Sequence, residues 1–427
     1  MFRKLIIVSV FLLTVVIGSG CSDRGDTFVP VSYESSVGPF EFNHEFLVAL
    51  GFSMFTEIRN SPSMRCMAYV PAGYQNPNQG RPFPTLYMLS PFGETEEFYF
   101  NYGLKDVADR LIAEGEIEPM IIITVNGRNT YGGGFYGDKY AGGRYAEIIG
   151  SIQGYPLTGS LIDYVDAVFN TFSDSRHGAG VGRANRAISG TGMGGYGAMR
   201  LAVVYHDNFS SVSAISAPLD FDGASGSGGL VPFFDQIIDN LPATYAEMRI
   251  GDGDPLVAMA FGAAASFSPH DTAYINRQYH PDVPGSTDPL RGWHADDTLR
   301  ITDVATYFTP KGPNSSLKFH LPFDENGDPY NPIWQLWLDN NIESILAGIP
   351  GALDNTAMLL MTSADARYNY DQQTIDFHQH LVNQGIADSL TIFGGYGDYE
   401  ASNDRFLYDI LADILKFHSD QFVVPEY

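Results

Sequence analysis

The stretch Arg186-Ala-Ile-Ser-Gly190-Thr-Gly192-Met-Gly194-Gly195-Tyr-Gly-Ala-Met-Arg200 decides the fold. Arg186–Ser189 reads as a short strand, a glycine-rich turn follows, and Tyr196–Tyr205 reads as a helix. A strand that turns tightly into a helix is a building unit of a parallel sheet. Two chemistries fit such a turn. Gly190, Gly192 and Gly195 satisfy G-x-G-x-x-G, in which glycines bring the backbone close to a pyrophosphate at a helix N-terminus, and Asp220 follows the next strand as the acidic partner. That fingerprint needs its own βαβ context, and here the turn comes after at least two earlier strand–helix units. The other reading is the sharp G-x-S-x-G turn that presents a nucleophile. Gly190-Thr191-Gly192-Met193-Gly194 has that frame, with glycine where the serine stands.

Working outward, short strands and helices alternate on both sides of the turn. Met67–Pro71, Thr85–Leu89, Pro119–Val125 and Ser211–Ile215 are strand-like runs; Met120-Ile121-Ile122-Ile123 is apolar enough for a strand covered on both faces. Leu104–Glu114 and Ser160–Phe172 read as helices, the first stopped by Gly115. Ala357–Met361, Asp371–Gln384, Ser389–Phe393 and Arg405–His418 continue as strand, helix, strand, helix. Between Asp220 and about Ala352 the alternation breaks; a Gly/Ser-rich run (Gly223–Gly229) and a helix near Phe233–Leu241 suggest a cap laid over the sheet. The expectation is an α/β fold with a mainly parallel, doubly wound sheet. It would form a single domain over residues 22–427, interrupted by an insertion at about 220–352.

Several segments in the same order resemble the esterase family of α/β-hydrolases that includes S-formylglutathione hydrolases and mycolyltransferases. They are Tyr69-Val-Pro-Ala-Gly-Tyr74, Pro84-Thr-Leu-Tyr-Met-Leu89, the glycine-rich turn with its Tyr196-Gly-Ala, and Ser211-Val-Ser-Ala-Ile215. Leu321-Pro-Phe-Asp324 and Ile333-Trp-Gln-Leu-Trp337 extend the likeness late in the chain. The resemblance implies an α/β-hydrolase fold. It also implies four functional parts: a nucleophile, a base, an acid that orients the base, and an oxyanion hole.

Matched position by position, the chain departs from that pattern. The nucleophile position is Gly192, which has no side chain. The acid position is Asp365, in Thr362-Ser-Ala-Asp365; a turn or helix-capping role is the bland alternative for such an Asp. The base position falls on Gly397, in Phe393-Gly-Gly-Tyr-Gly397-Asp398-Tyr399, and a one-residue slip would place Tyr396 there. Neither supplies an imidazole. The oxyanion loop reads Ser90-Pro91-Phe92-Gly93, and proline has no N–H to donate. Backbone donors remain possible at Phe92 and Met193. Ser189, in the incoming strand, reads as structural, and His378, His380 and His418 read as surface residues of helices.

Composition narrows the functional classes. A chain of 427 residues that is 44% hydrophobic can build a large core. With 24 Lys+Arg against 50 Asp+Glu, the net charge of −26 opposes binding to a phosphate backbone, so nucleic acid is not an expected partner. Arg3-Lys4, the apolar run Leu5–Ile17 and the small residues before Cys21 form a secretory signal that resembles a bacterial lipoprotein signal, with Cys21 lipidated. This places the protein at the cell envelope, anchored to the membrane. Of the two cysteines, Cys66 would then stand alone as a buried apolar residue. No cofactor or metal is expected: Asp324–Asp328 lacks the distal glutamate of a calcium loop. Asp252, Asp254, His270, Asp271, His294, Asp296 and Asp297 lack ligand spacing. The aromatic richness suits a small acyl, aryl or glycan ligand. The favoured expectation is a lipid-anchored hydrolase-fold protein that has lost catalysis. The alternatives are an active ester hydrolase or acyltransferase with a non-standard nucleophile, and a structural envelope lipoprotein.

Overall fold

The computed structural model describes residues 34–43, 63–74, 80–129, 132–139, 143–150, 160–223, 228–241, 254–269, 319–324, 326–331, 333–364, 366–393 and 404–425. Eight strands make one sheet: β1 (Ser36–Asn43), β2 (Ser63–Val70), β3 (Thr85–Leu89), β4 (Ile121–Val125), β5 (Arg186–Thr191), β6 (Ser211–Ile215), β7 (Ala357–Ser363) and β8 (Ser389–Phe393). Their spatial order is β1-β2-β4-β3-β5-β6-β7-β8. β2 pairs antiparallel with β1 and β4, and every later pairing is parallel. The glycine-rich turn therefore leaves a strand in the middle of the sheet.

The central strands are apolar on both sides because both faces are covered. All residues of β3, β4, β5 and β6 are buried. Side chains alternate across the pleat. Leu86 and Met88 of β3 join Val107 and Leu111 of helix α1 (Leu104–Glu114). Tyr87 and Leu89 join the opposite cluster, with Leu161 of α2 (Leu161–Val168) and Met199 of α3 (Met193–Val204). That second cluster also holds α4 (Pro255–Phe267) and Phe377 of α5 (Tyr370–Gln384). Ile410, Ile414 and Leu415 of α6 (Asp404–Gln421) return to the α1 side. At about 1.5–3 kcal/mol for each fully buried large apolar side chain, this double layer is the main stabilising term.

Local signals set most element ends. Ser160 caps α2 through a capping box: its Oγ accepts from Asp163 N at 3.2 Å, and its own N–H donates to Asp163 Oδ2 at 2.8 Å. α2 stops at Val168, short of the expected Phe172, because the next residues are drawn alongside Phe83. Phe83 N donates to Asn170 O at 2.9 Å and Phe172 N to Phe83 O at 3.2 Å. β5 runs to Thr191 and α3 begins at Met193, so strand and helix each reach further into the glycine-rich turn than the sequence suggested. Between β6 and β7 the described residues add helices but no strand to the sheet. Asp254, weighed above as a metal ligand, instead caps α4, its Oδ1 accepting from Leu256 N at 2.8 Å. Asp324 Oδ1 accepts from Asn326 N and Asp328 N, which is a polar turn. No helix among the described residues is long and apolar enough to cross a membrane.

Candidate active site

Gly192 sits at the junction of β5 and α3 with φ +56° and ψ −120°. This is a region that residues with a Cβ enter only under strain. Its N–H donates to Ile215 O at 2.8 Å, and its carbonyl accepts from Tyr196 N at 3.0 Å. The turn is therefore pinned to β6 on one side and closed into α3 on the other. A Cβ on Gly194 would lie 2.1 Å from Leu89 O, so glycine there lets α3 run directly against the end of β3. That glycine serves contact between parts of this chain, which is the elbow reading and not the dinucleotide one.

The expected oxyanion donors lie on either side of this turn. Neither Phe92 N–H nor Met193 N–H donates to an acceptor among the described residues. The loop around Phe92 is fixed from several directions. Gly93 N donates to Gly132 O at 2.8 Å, and the Phe92 ring lies 6.2 Å from that of Phe135. Ser90 Oγ accepts from Gly127 N at 2.9 Å, and Tyr136 Oη donates to Ser90 O at 3.0 Å. Phe135 and Tyr136 both have φ +47°, a left-handed conformation that bulky residues adopt only when their surroundings impose it. The run Gly132-Gly133-Gly134-Phe135-Tyr136 was the visible signal for this support, and sequence reasoning passed over it.

Hydroxyls close to Gly192 are engaged elsewhere. Thr191 is fully buried, and its Oγ1 is hydrogen-bonded to Tyr99 Oη at 3.3 Å. Tyr99 Oη also donates to Leu89 O at 2.8 Å, and burial pushes its hydroxyl pKa up. Ser189, read from sequence as structural, is fully buried and accepts from Ser213 Oγ at 2.7 Å. Asp365, Gly397 and Cys21 lie outside the described residues, as do Asp252, His270, Asp271, His294, Asp296 and Asp297.

The histidines correct the sequence reading. His418 is not on the surface: it is completely buried, with Nδ1 2.8 Å from Ser211 Oγ and Nε2 2.9 Å from Ser213 Oγ. Since Ser213 donates onward to Ser189, it accepts from Nε2–H, and Ser211 donates to Nδ1. Burial lowers the His418 pKa to about 3, so the ring is neutral. His378 and His380 are half-buried and face Asp388 and Glu343.

A carboxyl group cluster lies beyond the end of β6. Asp220 Oδ1 accepts from Gly223 N at 3.0 Å; burial first, then Asp222, raise its pKa to about 7. Glu343 is raised to about 7 by burial, with the charges of Asp222 and Asp376 adding to it, and its Oε2 lies 3.3 Å from His380 Nδ1. Among the described residues no three His, Cys, Asp or Glu side chains are grouped to hold a metal ion.

With this geometry in place, comparison with known proteins shows what the chain is similar to. A family model described as Putative esterase matches residues 61–272, which spans β2, the oxyanion loop, the elbow and β6. Over those residues the chain is similar to this esterase family. Its sheet is the α/β-hydrolase one, with the elbow on a central parallel strand. An esterase of Mycobacterium tuberculosis is 27% identical over 144 residues, which is 33% of this chain and 26% of that protein. Endo-1,4-beta-xylanase Y of Acetivibrio thermocellus is 26% identical over 147 residues, 33% of this chain and 12% of the xylanase. The match thus spans about a quarter or less of either relative. Among solved structures, a ferulic acid esterase aligns over 92% of this chain and 100% of its own, with 17% identity and a TM-score of 0.49. An S-formylglutathione hydrolase from Agrobacterium tumefaciens aligns over 92% and 98%, with 14% identity and a TM-score of 0.47. At the apex of the turn, the third position of the G-x-S-x-G frame, this chain has Gly192.

Proposed function

We propose that this esterase-family protein has lost ester hydrolysis and binds a small acyl, aryl or glycan ligand in the cleft above the elbow. The observation that carries the reading is Gly192: a glycine at the apex of an otherwise intact elbow, with two backbone donors, Phe92 N–H and Met193 N–H, that have no acceptor among the described residues. A carbonyl or carboxylate oxygen suits such donors. No attacking side chain follows from glycine, and the sequence offers glycine or tyrosine where the base would stand. Ser189 and Thr191, the hydroxyls next in line, are buried and hydrogen-bonded, which argues against a relocated nucleophile.

The Cys21 signal supports a lipid-anchored protein of the bacterial cell envelope. Turnover of short-chain aryl esters and labelling by a serine-directed fluorophosphonate test the reading together. The expected result is neither turnover nor labelling. A rate that persists through purification, with the label mapped to one residue, would establish an active esterase instead. Radiolabelled palmitate incorporation that is lost in Cys21→Ala checks the anchor; unchanged incorporation would reject it.

A further inference from the structure

We propose that Glu96 is a positioning residue for the elbow site: its buried carboxylate fixes the direction of the Phe92 N–H. The proposal rests on the reading of Phe92 N–H and Met193 N–H as the donors that meet a ligand oxygen.

Phe92 is the second residue of a turn, Pro91–Glu94, closed by Glu94 N donating to Pro91 O at 3.2 Å. The second N–H of such a turn is not used in closing it, so it points where the turn as a whole points. Both ends of the turn are tied to the end of β4. Before it, Ser90 N donates to Val125 O at 3.2 Å, and Gly127 N donates to Ser90 Oγ at 2.9 Å. After it, the ties come from Glu96. Its carbonyl accepts from Thr124 Oγ1 at 2.5 Å, its Oε2 accepts from Asn126 Nδ2 at 2.5 Å, and its Oε1 lies 2.7 Å from the Arg65 guanidinium. Arg65 belongs to β2 and is itself tied to β4, its carbonyl accepting from Asn126 N at 3.1 Å.

The partners of Glu96 call for a carboxylate. A guanidinium has donors alone. Asn126 Oδ1 accepts from Arg128 N at 2.9 Å, so its amide turns Nδ2 toward Glu96. Both carboxylate oxygens therefore face donors, and a glutamine of the same shape would set its NH2 against one of them. Glu96 is 1% exposed while Arg65 is 53% exposed, so the anion lies inside the fold and the cation at its rim. A buried carboxylate short of a partner is costly. Its easiest relief is to move toward water, and the turn that carries Phe92 would move with it.

Hydrogen exchange of the full chain, read by mass spectrometry at single-amide resolution, tests this. Gly93 N–H and Glu94 N–H are both bonded and follow Phe92 directly, so they report on the turn. In Glu96→Gln both are expected to exchange faster by about 10-fold or more, with the amides of β5 unchanged. Adding Asn126→Asp to Glu96→Gln moves the charge by one residue and again gives each donor an acceptor, so slow exchange should return. Benzoate titrated by calorimetry reads the site itself. Glu96→Gln should weaken its binding by about 10-fold or more, and the swapped pair should recover it. Should no Glu96 variant fold, Arg65→Met cuts the same tie from its exposed side, and faster exchange at Gly93 and Glu94 is expected there too. Unchanged exchange at those two amides, a swapped pair no better than Glu96→Gln, acceleration shared equally by β5, or benzoate affinity equal in parent and variant would overturn the proposal. A parent chain that binds no benzoate counts against the ligand reading alone, and the amides then decide whether Glu96 fixes the turn.

Discussion

His418 Nε2 lies 2.9 Å from Ser213 Oγ in the completely buried layer between α6 and the sheet. In a chain that resembles an esterase family, a Ser–His contact suggests catalysis. Here it does not reach the elbow. Ser213 donates its hydrogen bond to Ser189, and the imidazole bridges two serines of one strand. The contact ties the last helix to β6. His418→Ala is expected to cost about 2–4 kcal/mol, since it leaves two buried hydroxyls short of a partner and opens a void. Urea unfolding followed by far-UV circular dichroism checks this, and a midpoint within error of the parent would remove His418 from the structural role.

The same residue gives the fold an acid limit. Its pKa is about 3 when folded and about 6.5 when free, so the unfolded chain binds the extra proton between those values. Stability from this group is complete above pH 6.5 and is lost progressively as pH falls toward 3. His418→Gln should flatten that slope. A parent and variant with parallel stability–pH curves between pH 6.5 and 4 would contradict the assignment.

Asp220 and Glu343 act with the opposite sign. Both are raised to about 7, so the folded protein holds protons that the unfolded chain releases near pH 4. Their contribution is fully present below about pH 4 and is lost as pH rises through 7. Asp220→Asn combined with Glu343→Gln should therefore raise the thermal midpoint at pH 8 by a few degrees and change it little at pH 4. A lower midpoint at pH 8 would show that the carboxylates hold the cluster together as anions.

Two glycines of the elbow should respond differently to a methyl group. Gly194→Ala drives a Cβ into the Leu89 carbonyl at 2.1 Å, which neither backbone can relieve, and soluble folded protein should be lost. Gly192→Ala meets conformational strain, from its φ of +56°, of about 1–3 kcal/mol, and should fold with a lowered urea midpoint. Equal behaviour of the two variants would mean the tight approach of α3 to β3 is misplaced.

Restoring the missing groups tests how far the site has drifted. Gly192→Ser alone should fold and remain unlabelled by fluorophosphonate, since no base accompanies it. Gly192→Ser with Gly397→His should give slow aryl-ester hydrolysis above either single variant. If the folded double variant stays silent, the N–H missing at Pro91 becomes the next group to restore.

Much of the fold was legible because it rests on apolar runs. β6 and β8 match their expected ranges, as do α1 and its terminating Gly115. β1 was not legible: Ser36–Asn43 contains Gly38-Pro39, which argues against a strand. It forms because Phe40 and Phe42 face the core while its backbone pairs with β2. α4 was missed for a different reason. It is apolar on every side, so it has no period to detect. The apex Gly192 and the strand–turn–helix around it could be read directly, since the motif is local. His418 could not, because burial of a residue near the end of a helix depends on a strand some 200 residues earlier, with which it hydrogen-bonds.

Cys66 in β2 carries a reduced thiol with no exposed surface, set between Phe40 of β1 and Val125 of β4. It is walled in by the sheet and so reacts with a thiol reagent only after those strands separate. The protein therefore contains its own clock for opening of this edge of the sheet. At saturating reagent, the rate of Cys66 modification reads that opening rate, with no engineered label.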